Sequence, residues 1–298
     1  MFFNPRRTGT PPHGKARWIV AKKKETKATG KWDAELDQMV CDRYNNCNLT
    51  LTIKLYVKKV EPAGGAAKGT YKDADDTDRK IVRWGAKWLP WISKLRRECE
   101  DFWHGKFWLK CPSGFDKFDY VDKGITYRPN IWCRFRLKVV SSPGVAHHKI
   151  EAVRLDNSEP FFRSHSELYD HRDLDPQPQD HGSTKKTHLH EIGHLLGLPH
   201  VGKGGPPGFG WAICALHTLG GGSTNDSQCY GVLDDEKRDV MGSGSERRQW
   251  HAKPWQEAIE MFSGIGQTQW LPEQKRFYPR TPDDVTKNNW PVVKPKRG

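Results

Sequence analysis

One run of eleven residues constrains this chain more than anything else in it: His190-Glu191-Ile192-Gly193-His194-Leu195-Leu196-Gly197-Leu198-Pro199-His200. Four residues apart on a helix, His190 and His194 project from one face a turn apart, so both imidazoles reach the same small cation. Glu191 follows the first histidine directly. That offset places its carboxylate beside such a cation rather than on it, where it can take a proton from water. Gly197 lets the chain leave the helix at a backbone angle other residues resist, and Leu198-Pro199 stops the helix, so His200 can swing back as a third ligand. Three neutral imidazoles suit tetrahedral Zn²⁺ and leave a fourth position open, the pattern of a catalytic centre and not of a closed structural one. The plainer alternative is an amphipathic helix that happens to carry histidines. Leu189, Ile192, Leu195 and Leu196 give this helix, expected over about residues 184–197, an apolar flank, with Ser183 or Thr184 as its N-cap.

The string His190-Glu191-x-x-His194-x-x-Gly197-x-x-His200 resembles the zinc signature of the metzincin metalloproteases. That family carries a second mark, a tight turn with a methionine beneath the zinc-binding histidines. Asp239-Val240-Met241-Gly242-Ser243-Gly244 is similar to it, with Met241 placed 41 residues after His200. The resemblance implies a zinc-dependent endopeptidase acting on protein or peptide, with one catalytic Zn²⁺ on His190, His194 and His200. Glu191 is then the general base, and Gly197 and Met241 are supporting residues. Several metzincin families place a tyrosine two residues after the methionine, where this chain has Ser243. A tyrosine in that role comes from elsewhere, with Tyr230 as the candidate, or is absent. Two other classes stay open: a zinc hydrolase of a non-protein amide such as a cell-wall polymer, and a zinc-fold binding module without turnover.

The net charge of +13 suggests a nucleic-acid partner until it is located along the chain. Residues 1–31 carry net +8 and residues 272–298 net +4, which leaves +1 for everything between. Both segments read as basic flexible tails, serving solubility or docking on an anionic surface or partner. No specific nucleic-acid motif is present. No run of 18 apolar residues exists, so no transmembrane segment is expected. Met1-Phe2-Phe3-Asn4-Pro5-Arg6-Arg7 lacks the apolar core of a signal peptide, so export by a leaderless route, favoured by the resemblance, or a cytoplasmic site is expected. Seven cysteines leave at least one free thiol, and the close pairs Cys214/Cys229 and Cys41/Cys47 can each be oxidised or reduced.

The remaining pattern predicts an α+β fold. Asn48–Val60, Phe107–Leu109, Ile131–Val140 and His148–Leu155 read as strands, the last two joined as a hairpin through Ser141–Gly144. Ile81, Trp84, Trp88, Trp91 and Leu95 read as one aromatic helix stripe, kinked or restarted at Pro90, and as a core face rather than a carbohydrate platform. Trp32–Asn46 reads as helical or irregular, Gly114–Asn130 and the glycine-dense Gly202–Gly222 as loops, Leu233–Arg238 as a helical turn and Pro254–Phe262 as a closing helix. By analogy with metzincins this makes a twisted mixed sheet with a backing helix and the active-site helix, over residues 32–200. A smaller, mostly irregular or helical lower subdomain follows over 201–271. The cluster Asp170-His171-Arg172-Asp173-Leu174-Asp175 is a candidate for a structural Ca²⁺ or a second Zn²⁺, with a solvated loop as the plainer reading. His165, His171, His181, His188 and His217 are read as decoys, His188 because it faces away from His190 on the helix.

Overall fold

The computed structural model describes residues 22–73, 76–160, 165–179, 182–206, 209–281 and 284. In chain order the strands are β1 (Lys24–Ala28), β2 (Asp33–Asp37), β3 (Cys47–Lys59), β4 (Lys68–Lys72), β5 (Asp78–Val82), β6 (Phe107–Lys110), β7 (Tyr120–Asp122), β8 (Ile125–Tyr127), β9 (Ile131–Val140), β10 (His148–Val153), β11 (Leu168–Asp170), β12 (Gln177–Pro178), β13 (Thr184–Lys185) and β14 (Leu271–Glu273). The helices are α1 (Trp88–Trp103), α2 (Thr187–Leu196), α3 (Val201–Gly204), α4 (Phe209–Leu219), α5 (Asp234–Arg238) and α6 (Lys253–Ser263). The fold is therefore mixed α+β.

β3 organises the main sheet because its alternation buries Leu49, Leu51, Ile53, Leu55 and Val57 on one face. Strands run in the order β1-β2-β3-β9-β6-β14, with β10 on β3 and β11 on β10. β9 lies parallel to β3 from Cys47↔Ile131 to Tyr56↔Val140. On the other edge of β3, antiparallel β2 covers Asn48–Thr52 and parallel β10 covers Leu55–Lys59. The expected β9–β10 hairpin is thus corrected. β2 is too short to cover β3, so the backbone groups left open beyond it take β10 instead, and the chain crosses from one edge of β3 to the other.

Other expectations change for equally local reasons. Ile81 is a strand residue of β5, paired with β4, and Trp84 precedes the helix. Pro90 falls in the first turn of α1, where a missing N–H breaks no helical bond, so no kink is needed. Trp91, Leu95, Cys99 and Trp103 then form the buried stripe of α1. Asp33–Asp37 is a strand because Ala34 and Leu36 alternate into the core. Within the presumed loop at 114–130, Lys123 and Gly124 both take positive φ and close the β7–β8 hairpin. In the glycine-dense segment the apolar run winds into α4, preceded by α3.

The basic segments are folded in part. Lys24–Ala28 pairs with β2, and Leu271–Glu273 pairs with β6. Beyond β14, Phe277, Tyr278 and Arg280 are buried, and Arg128 and Arg280 exchange backbone hydrogen bonds of 2.8 and 2.9 Å. Residues 1–21 and 285–298, on which the docking role of the tails rests, lie outside the described residues. Among the described residues no helix is long and apolar enough to cross a membrane. One core joins the inner sheet face to Trp91 and Leu95 of α1, Ile192 and Leu196 of α2, and Trp255 and Ile259 of α6. That packing sets α2 in place.

Candidate metal centre

α2 carries the sequence Thr187-His188-Leu189-His190-Glu191-Ile192-Gly193-His194-Leu195-Leu196, and all but His194 are buried. It starts later than expected, at Thr187 with Lys186 as an N-cap whose side chain makes no capping bond, while Thr184 belongs to β13. Its end follows from Gly197, which sits at φ 100°. The Gly197 N–H donates to His194 O and the Leu198 N–H to Gly193 O, the paired bonds of a Schellman cap that needs a left-handed residue. Trp32 Nε1 donates to Leu196 O at 3.3 Å and satisfies another terminal carbonyl. The chain turned back in this way brings His200 to the first two histidines.

The three rings are oriented by the backbone. His190 Nδ1 lies 2.7 Å from Val240 O, His194 Nδ1 2.8 Å from Leu198 O and His200 Nδ1 2.8 Å from Thr224 O. A carbonyl only accepts, so each Nδ1 carries the proton and each Nε2 presents a lone pair. Those Nε2 atoms converge: His194 Nε2 is 3.1 Å from that of His190 and 3.0 Å from that of His200. Three lone pairs facing one another repel unless a cation lies between them. Two nitrogens held tetrahedrally at about 2.05 Å from one ion would be about 3.3 Å apart, close to the separations found. Burial first, and then the Lys185 ammonium, pushes the His190 and His194 imidazoles below the usual histidine range, which keeps them neutral donors. The donor set therefore fits a metal ion, and it is the one such group of three or more among the described residues.

The methionine turn is tied to this cluster from below. The Met241 N–H donates to Asp239 Oδ1 at 2.7 Å, and the same carboxylate accepts from Trp250 Nε1 at 3.0 Å and His251 Nε2 at 2.9 Å. Val240 O orients His190, while Met241 O accepts from Val201 N, next to His200. Met241 is fully buried, and a Cβ added to Gly193 would overlap its sulfur. Gly193 is thus required by close approach and not by backbone angle.

Tyr230, the candidate tyrosine, and Lys185, which the sequence did not single out, complete the surroundings. Tyr230 brings its ring centroid to 3.9 Å from that of His200 and 5.6 Å from that of His190. Lys185 Nζ lies 5.4 Å from the centroid of the same Tyr230 ring. The disulfide Cys214–Cys229 ties α4 to the residue before Tyr230, whereas Cys41 and Cys47 are free thiols with sulfurs 2.7 Å apart. Glu191 is 5 % exposed, and its charge helps to push up the Tyr169 phenol, which burial already raises.

The decoy histidines have partners of their own. His217 Nε2 lies 2.7 Å from Asp226 Oδ2 and so braces the turn that supplies Thr224 O. His171 Nδ1 and Arg172 Nε both lie 2.6 Å from the Asp170 carboxylate, and Asp173 Oδ2 accepts from Asp170 N. Those contacts spend the acidic cluster on the protein itself, so the second-metal expectation gains nothing there. His165 accepts a local backbone bond from Glu167, and His181 lies outside the described residues.

His188 contacts the backing helix. Its Nδ1 lies 2.9 Å from Asp173 O and its Nε2 3.2 Å from Glu98 Oε2, which Lys186 Nζ also reaches at 3.0 Å. His188 and then Lys186, against opposing burial, hold the Glu98 carboxyl at about 2. A folded value below the usual carboxylate range adds stability that is present above about pH 4.5 and is lost as pH falls through about 2. Glu98→Gln is therefore expected to lose about 1.5–3 kcal/mol near neutral pH, the worth of hydrogen bonds to a charged group, and to show a flatter acid limb. Urea unfolding at pH 7, 4 and 3 measures this; a wild-type and variant difference that does not shrink with acid overturns it. Metal content should not change.

No family model, curated protein or solved structure matches this chain.

Proposed function

We propose that the chain is a zinc-dependent endopeptidase of metzincin type. The observation that carries this reading is the convergence of three backbone-oriented Nε2 lone pairs beside Glu191, the next residue on the same helix. Neutral imidazoles in a set of three are a donor set suited to zinc with an open position. Zinc bound there supplies Lewis-acid polarisation of the scissile carbonyl and makes water more acidic. The chain's own residues do the remainder. Glu191, rotated about 100° from His190 around the helix, stays off the ion, takes a proton from the attacking water and passes it to the leaving amine. Val240, Leu198 and Thr224 carbonyls keep each imidazole in one tautomer. Met241 packs under Gly193 as a dry floor. Tyr230 takes the place of the aromatic group that Ser243 cannot supply.

The test is elemental analysis of protein purified without chelator, followed by digestion of a denatured protein and of peptidoglycan with and without a chelator. One zinc per chain and chelator-sensitive cleavage of the unfolded protein are expected. Zinc with cleavage of peptidoglycan alone would move the assignment to a cell-wall amidase, and zinc without any cleavage to a binding module.

A further inference from the structure

A cavity of about 240 Å³, away from the histidine cluster, is lined by Val40, Asn45, Asn46, Asn48, Trp108, Trp132 and Arg276. Its floor is a row across three neighbouring strands. Asn48 of β3 is in register with Trp132 of β9, and Trp132 is in register with Trp108 of β6, so the three side chains share one face of the sheet. Their chain neighbours Leu49, Cys133, Phe107 and Leu109 are buried in the core, so this is the opposite face. The indoles of Trp108 and Trp132 lie nearly parallel, 12° between planes with centroids 6.4 Å apart, and the Arg134 guanidinium sits 5.2 Å over the Trp132 ring. The pair is held upright before any ligand arrives.

Asn48 is 9 % exposed, lines the cavity and adds its carboxamide to the floor beside the indoles. Asn46 is engaged with the protein: its Oδ1 accepts from Asn130 N and its Nδ2 donates to Phe277 O. That bond fixes the segment that brings Arg276 to the rim.

We propose that this cavity binds a sugar residue of a neutral glycan. Indole faces offer apolar, polarisable surface to the C–H face of a pyranose, while carboxamides both donate to and accept from its hydroxyls. No carboxylate lines the cavity and its one cation is the exposed Arg276, which favours an uncharged, hydroxyl-rich ligand. The volume lies below the roughly 300–1,000 Å³ of sites for drug-sized ligands, which limits the occupant to about one ring with the rest of the glycan outside. None of its lining residues belongs to the histidine cluster, so the site stands whether or not the chain is a peptidase.

The full chain is titrated with cello-, malto-, xylo- and chito-tetrasaccharides, and with AMP as a stacking control, using calorimetry and saturation-transfer NMR. At least one tetrasaccharide is expected to bind, and Asn48→Leu to weaken it about tenfold or more, the loss of one well-made hydrogen bond. Trp108→Ala is expected to abolish binding, with circular dichroism and metal content reporting on folding. Arg276→Ala, at the exposed rim, gives a second variant free of any core effect and is expected to weaken binding less. The proposal is overturned if no tetrasaccharide binds the wild-type chain at about 10 mM. Binding that is equal in wild type and Asn48→Leu, or AMP bound in preference to every sugar, overturns it too.

Discussion

Glu191→Gln protein is expected to keep its metal and its melting temperature while peptide hydrolysis falls by about 10²–10⁴, the usual worth of general acid–base assistance. The retained metal follows from geometry: the three imidazoles are oriented by Val240, Leu198 and Thr224 carbonyls, none of which depends on Glu191. The retained fold follows from similar size, because glutamine fills the space of a side chain that is 5 % exposed. What is lost is a carboxylate able to accept and return a proton. Metal content, thermal unfolding and turnover of one quenched peptide, read on a single preparation, decide the matter. Near-normal hydrolysis would remove Glu191 from the mechanism, and lost metal would make it part of the ligand set.

His194→Ala should have the opposite signature. His194 is the hub of the cluster, with its Nε2 3.1 and 3.0 Å from the two others. Removing it leaves two donors and opens the site to water. Metal affinity is expected to fall by more than about 100-fold, beyond the effect of losing an outer hydrogen-bond partner. Activity goes with the metal. The melting temperature of the variant becomes indifferent to added chelator, whereas wild type loses the stabilisation that ligand binding confers, about 2.7 kcal/mol at 100 times the dissociation constant. His188→Ala is the control. It removes an imidazole two residues from His190 that contacts Glu98 and Asp173 O, so it should cost stability and leave metal content unchanged.

The positions of His190, Glu191 and His194 relative to one another come from helix geometry alone, and Gly197 signals the turn that returns His200. Strands β3, β6, β9 and β10 were legible for a similar reason, since alternation over a few residues is a local property. The α6 helix, opening on Lys253-Pro254, was legible from its capping proline. Readings failed where a local pattern had two outcomes. An apolar run between glycines suits a loop wall or a helix, and α4 formed because the Cys214–Cys229 bond and α3 hold it against the fold. Two strands separated by a turn suit a hairpin, yet β9 and β10 went to opposite edges of β3 because β2 left half of one edge open.

What the sequence by itself determined, then, is the donor set and the periodicity: which side chains a single helical turn and its glycine stop bring into reach of one ion, and which strands have a face to bury. Tertiary structure alone decided which groups hold those donors in place. Thr224 O, Val240 O and the ring of Tyr230 reach the histidines from 24 to 50 residues away in the chain. The row Asn48, Trp132 and Trp108 exists only through the register of three strands. The physical reason is range. Helix geometry and alternation act between near neighbours, whereas hydrogen bonds and register across a sheet depend on how separate segments compete for the same core and the same open edge.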